Sequence, residues 1–193
     1  MSKRVGPLDG VVVVDLTRVL AGPYLTMVMA DMGARVIKVE IPETGDDARH
    51  FGPFVEGESA YFATINRGKE SITMNLKDAQ DRVLFEKLVA RADVLVENYR
   101  AGTMDKLGMG WDVLQQWNPR LIYAAVSGFG QTGPYSNRPA YDLVVQGMGG
   151  ILSLTGHGDG KPARVGTSIG DITAGMFGLS GVLAALYDRE NTG

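Results

Sequence analysis

Short, wholly apolar runs rich in β-branched residues alternate with amphipathic stretches along this chain, and that alternation leaves few architectures open. Val11-Val12-Val13-Val14 predicts a strand buried on both faces. Pro23 is placed to open a helix in which Leu25, Val28, Met29 and Met32 share a face, with Gly33 as its stop. Arg35 to Glu40 and Ser71 to Leu76 predict further strands. Asp78 predicts the cap of a helix running to Arg91, with Val83, Leu84, Leu88 and Val89 as its apolar face. Val94-Leu95-Val96 predicts a strand, Trp111 to Trp117 a short helix halted by Asn118-Pro119, and Leu121 to Ser127 another strand. Ile172 to Tyr187 carries no charge and predicts a buried helix, its 16 residues falling short of a span; crossing a bilayer takes ~20. Such a pattern implies an α/β fold: a Rossmann-like, mostly parallel sheet with helices on both faces.

A length of 193 residues fits one domain, 1–193. The net charge of −3, with no basic stripe, gives nucleic-acid binding no support. Absence of cysteine removes disulfides, thiol nucleophiles and cysteine metal sites, and fits a reducing, cytoplasmic setting. Lys3 and Arg4 precede an apolar run that Asp9 and Asp15 interrupt, so no secretory signal is expected. Glycine is the anomaly: 26 residues, clustered at 128–133, 147–150, 156–160 and 166–181, point to a cleft lined by backbone or to a loop-rich domain.

The turn after the first strand, Asp15 to Pro23, holds one glycine, so the dinucleotide fingerprint is absent, as is a phosphate-binding loop. His50 and His157 lack metal-ligand spacing, and no metal is expected. Asp171 follows Gly166-Thr-Ser-Ile-Gly170 and opens the last apolar helix. A helix N-cap explains that placement; so does a carboxylate kept ionised by the helix dipole and poised for attack on a carbonyl. Ala174, Gly178, Gly181 and Ala185 form a small-residue face suited to close helix packing. Asn98, Tyr99 and Arg100 follow a strand end, where open α/β sheets bind ligands. Arg67, Lys69 and Lys77, grouped around another strand, are solvated charges or phosphate ligands.

Read in order, these segments resemble the family III CoA-transferases. The resemblance is carried by Asp15-Leu-Thr-Arg-Val-Leu-Ala-Gly-Pro23, Gly33-Ala-Arg-Val-Ile-Lys-Val-Glu40, Asn66-Arg-Gly-Lys69 and Ala92-Asp-Val-Leu-Val-Glu-Asn-Tyr-Arg100. Gly128-Phe-Gly-Gln-Thr-Gly-Pro134, Tyr141-Asp142 and Gly170-Asp171 continue it, collinear over essentially the whole chain.

The resemblance implies a nucleophile at Asp171 that forms an aspartyl-CoA thioester while moving CoA from an acyl-CoA donor to a small carboxylic acid. It implies CoA contacts at Leu20 and Ala21, at Met74, Asn75, Leu76 and Lys77, and at Asn98, Tyr99, Arg100 and Lys106. Arg138, Pro139, Ala140 and Tyr141 complete that set. CoA is then a substrate, with no tightly bound cofactor and no membrane or nucleic-acid partner. Ile41, Lys106 and Leu20 depart from the formyl-CoA:oxalate pattern and point away from oxalate toward other short dicarboxylic acids. Tyr141 stands where the related α-methylacyl-CoA racemases carry a histidine, which disfavours that alternative. Family members are roughly twice this length, a size at which chains split into two domains. The chain is therefore expected to be the N-terminal large-domain portion of a homodimer, lacking the second, smaller domain. A non-catalytic CoA-binding remnant is the remaining alternative.

Overall fold

The computed structural model describes residues 6–156, 158 and 160–192. His157, Lys3 and Arg4 lie outside the described residues. In chain order the elements are β1 (Val12–Asp15), α1 (Ala21–Asp31), β2 (Arg35–Glu40), a 3-10 turn (Asp47–His50), β3 (Phe54–Val55), β4 (Glu58–Ser59) and α2 (Ala60–Ile65). Then come β5 (Glu70–Thr73), α3 (Ala79–Val89), β6 (Val94–Glu97), α4 (Thr103–Lys106), α5 (Trp111–Trp117) and β7 (Ile122–Ala125). Helices α6 (Asp142–Met148), α7 (Ile151–Leu154) and α8 (Ile169–Thr192) close the chain.

Five strands form one parallel sheet in the order β5-β2-β1-β6-β7, and β3 pairs antiparallel with β4 in a separate hairpin. Alternate residues along each central strand enter different cores, as a two-sided sheet demands. Val13, Val36, Val94 and Val96 pack with Leu25 and Met29 of α1 and Val182 and Leu186 of α8. Val14, Val39 and Leu95 pack on the other face with Phe85 and Val89 of α3 and Leu114 of α5. The sequence pattern thus reads correctly as an α/β layer with helices on both faces.

Local differences have local causes. Helix α1 begins two residues before Pro23, which sits in the first turn where no backbone donor is needed. Its far end closes as expected at Gly33, whose φ of +102° permits bonds from Gly33 N–H to Ala30 O and from Ala34 N–H to Met29 O. Strand β5 ends at Thr73 rather than Leu76, because Asn75 and Lys77 turn toward α3 through Asn75 N–H to Asp81 and Lys77 N–H to Asn75. Asp78 does cap α3, but the buried face is Phe85 and Val89 with half-buried Leu88, and Val83 and Leu84 are half exposed.

Helix α8 departs most from expectation. It runs 24 residues, long and apolar enough in length and composition to cross a bilayer, and is not a fully buried helix. One face packs on α1 through Gly175, Gly178, Val182 and Leu186, while Met176, Phe177 and Tyr187 are exposed.

Candidate active site

Strand order reverses between β1 and β6, and an open α/β sheet binds its ligands outside the carboxyl ends of the strands at such a point. A cleft of about 470 Å³ lies there, walled by the start of α1, the segments after β6 and β7, and α6 with α8. It gathers Ala21, Asn98, Tyr99, Arg100, Arg138, Pro139, Ala140, Tyr141 and Asp171. Of the glycine clusters, only Gly128 and Gly170 reach it.

Asp171 is not the helix cap. It is the third residue of α8, because Ile169 and Gly170 already have helical geometry and Ile172 N–H bonds to Ser168 O. Helix α6 faces it: Asp142 accepts from the Gly170 N–H at 2.8 Å and from the Gln146 amide at 2.6 Å. Among the described residues no side chain hydrogen-bonds the Asp171 carboxyl. Burial, aided by the negative charge of Asp142, pushes its pKa above the ordinary carboxylate value. The expected depression by the helix dipole is therefore outweighed. Tyr61 of α2 stands near enough for the Asp171 charge to add to the burial that raises its phenol. Neither Tyr61 nor Ser127 carried a sequence signal. Ser127 lines the cleft with a buried hydroxyl that has no hydrogen-bond partner among the described residues, a polar atom left for a ligand or water.

Other expected site residues lie elsewhere. Leu20 is the residue before α1 and borders Ala21 without lining the cleft. Met74 and Leu76 pack against the core beneath α3, whereas Asn75, Lys77 and Lys106 are exposed. Strand β5, which leads to residues 74–77, is three positions from β6, about 14 Å at the usual strand spacing. Asn98 turns its amide inward, accepting from Arg18 N–H at 2.8 Å and donating to Arg18 O at 2.7 Å. Arg100 and Arg138 are exposed at the rim, the latter 4.1 Å above the Tyr135 ring.

Lys69 and Arg67 are not free for phosphate in this fold. The Lys69 side chain is buried, its Nζ bonded to Asp15 at 3.0 Å, Pro23 O at 3.0 Å and Asn66 at 2.9 Å. Burial pushes the Asp15 carboxyl up, but Lys69, Lys38 and the Thr17 and Thr26 hydroxyls outweigh it and hold it below the usual range. Arg67 pairs with Asp31 on the surface. Glu40, buried, is held at about 2: burial raises it, and Arg49, Ser71 and the Asp46 N–H together lower it by more. None of these motif residues lines the cleft. No group of three or more metal-ligating side chains occurs among the described residues.

Comparison with known proteins places this geometry in context. The model of CoA-transferase family III matches residues 8–193. An acetyl-CoA:oxalate CoA-transferase of Acetobacter aceti is 54% identical over all of this chain and 50% of its own length. A succinyl-CoA:glutarate CoA-transferase of Mus musculus is 45% identical over 97% of this chain and 43% of its own. The crystal structure of a CAIB/BAIF family protein from Brucella suis superimposes with a TM-score of 0.92 at 47% identity, covering 97% of this chain and 50% of that one. The chain spans about half the length of the curated relatives it matches. With its parallel sheet, its cleft at the strand reversal and a match over nearly all its residues, the chain belongs to CoA-transferase family III.

Proposed function

We propose that the cleft takes an acyl-CoA and that Asp171 moves its CoA to a short dicarboxylic acid. The observation that carries this is Asp171 itself: a half-buried carboxyl with no side-chain hydrogen-bond partner among the described residues, facing a cleft rimmed by two arginines. A carboxylate is suited to the task because its anhydride and thioester lie close in energy to the substrate's own acyl derivatives. The ionised Asp171 adds to the donor thioester carbonyl, and the C–S bond breaks to give a mixed anhydride and CoA thiolate. The thiolate then attacks the Asp171 carbonyl, expelling the donor carboxylate and leaving an aspartyl-CoA thioester. An acceptor carboxylate runs the same two steps in reverse, ending with a new acyl-CoA and a free Asp171.

CoA extends in this reading from the cleft along the carboxyl edge toward Lys77 and Lys106. The acceptor class includes oxalate: departures at Leu20, Ile41 and Lys106 point away from it, yet relatives named for oxalate and for glutarate are both close in sequence. Function resides in a homodimer in which a second, smaller domain completes the site.

In the protein that carries the second domain as well, Asp171→Asn and Asp171→Ser decide the chemistry. Both should leave folding stability unchanged within about 0.5 kcal/mol, the usual range where no buried contact is lost, and both should abolish transfer. Hydroxylamine added with acyl-CoA should convert wild-type Asp171 to a hydroxamate detectable by peptide mass. An Asp171→Asn protein that transfers CoA at the wild-type rate, or a wild type that neither transfers nor forms hydroxamate, would overturn the proposal.

A further inference from the structure

Val19 has a φ of +68°, in the left-handed region that a β-branched side chain enters only at a cost. Its surroundings show what holds it there. The Val19 N–H donates to Asp46 Oδ1 at 3.0 Å. Asp46 is buried, and its other oxygen is 2.8 Å from the Nζ of Lys38, with both side chains at most 1% exposed. The same Nζ donates to Thr17 O at 2.7 Å. From the opposite side the Asn98 amide closes both backbone groups of Arg18. Buried Lys38 on β2, buried Asp46 on the loop after it and half-buried Asn98 just past β6 thus converge on three residues, 17 to 19. Immediately beyond them Leu20 precedes α1 and Ala21 lines the cleft.

Nothing in the sheet requires this conformation, since β1 ends at Asp15 and α1 could follow a relaxed turn. Strain held by several partners beside a cleft is characteristic of a functional constraint. We propose that Asp46, with Lys38, is a positioning residue that locks Val19 in the left-handed conformation and so presents the Leu20–Ala21 backbone to the CoA thioester. This inference rests on the reading that the cleft takes CoA.

Lys38→Met with Asp46→Ala removes both partners, leaving no stranded buried charge. Exchange of the Val19 amide should quicken, and CoA affinity by calorimetry should fall about 5- to 150-fold, the range set by strain of this kind. Adding Val19→Gly should recover most of the affinity, because glycine enters positive φ freely; a role in general stability would not respond to it. Wild-type affinity in the double variant, or no recovery with Val19→Gly, would overturn the inference. Should the double variant not fold, Val19→Pro leaves the buried pair intact yet forbids positive φ. It must lose CoA affinity, and undiminished affinity would be equally fatal. If the wild-type protein, second domain included, binds no CoA, the reading of the cleft fails, and exchange in the double variant, or in Val19→Pro if that variant does not fold, decides the loop. Release confined to residues 18–21 supports the lock, and release spread through β1 and β2 overturns it.

Discussion

At Asp171 two effects compete for one proton. The first turn of a helix favours the carboxylate, whereas burial and the neighbouring Asp142 favour the acid, and the second pair prevails. The proposed attack of Asp171 on a thioester needs the carboxylate, so transfer should rise with pH through this elevated pKa. Asp142→Asn removes a negative charge beside Asp171, which stabilises the ionised Asp171 and lowers its pKa. The acidic limb of kcat/KM against pH should then move to lower pH. An unmoved limb would show that Asp142 does not set the proton affinity of Asp171.

Helix α8 delivers Asp171 to the cleft, and its seat on α1 depends on missing side chains. A Cβ at Gly175 would stand 2.6 Å from Ala21 O, and one at Gly178 would meet the Leu25 side chain at 2.8 Å. Gly181 faces open space, and Ala174 lines the cleft. The seam is therefore Gly175, Gly178, Val182 and Leu186 rather than the expected Ala174, Gly178, Gly181 and Ala185. Gly175→Ala should destabilise by about 1–3 kcal/mol, as overpacking against a backbone oxygen does. Gly181→Ala should stabilise by about 0.5–1 kcal/mol through helix entropy alone. Urea denaturation of the two variants should give midpoint shifts of opposite sign; shifts of the same sign would refute the assigned seam.

Across the molecule, the cleft occupies the gap where β1 and β6 send their connections in opposite directions. Residues 74–77 lie at the far side of the same edge, so a ligand touching both must lie along the sheet rather than point into it. Saturating CoA should slow amide exchange in residues 72–77 as well as 96–106. Protection limited to 96–106 and the wall after β7 would confine CoA to the cleft and sink the edge-long path. Lys69 would contribute to neither pattern, being committed to Asp15, Pro23 and Asn66.

Periodicity was enough to specify the five strands of the main sheet, their parallel sense and helices on both faces, because a two-sided sheet must bury consecutive apolar residues and such runs are visible in one dimension. The strand order, the β3–β4 hairpin and the short helices α2, α4, α6 and α7 were not legible there. Resemblance pointed to Asp171 and the 98–100 and 138–141 segments, since these are contiguous stretches. What no local pattern contains is which charge meets which. Asp15 and Lys69, Lys38 and Asp46, Asn98 and Arg18 are separated by 8 to 80 positions, and only the folded sheet brings each pair within hydrogen-bonding distance. The same holds for Asp142 beside Asp171 and for the face of α8 that meets α1. A helix shows its apolar stripe in sequence, but the glycine that must vanish into a neighbour's backbone is chosen by where that neighbour lies.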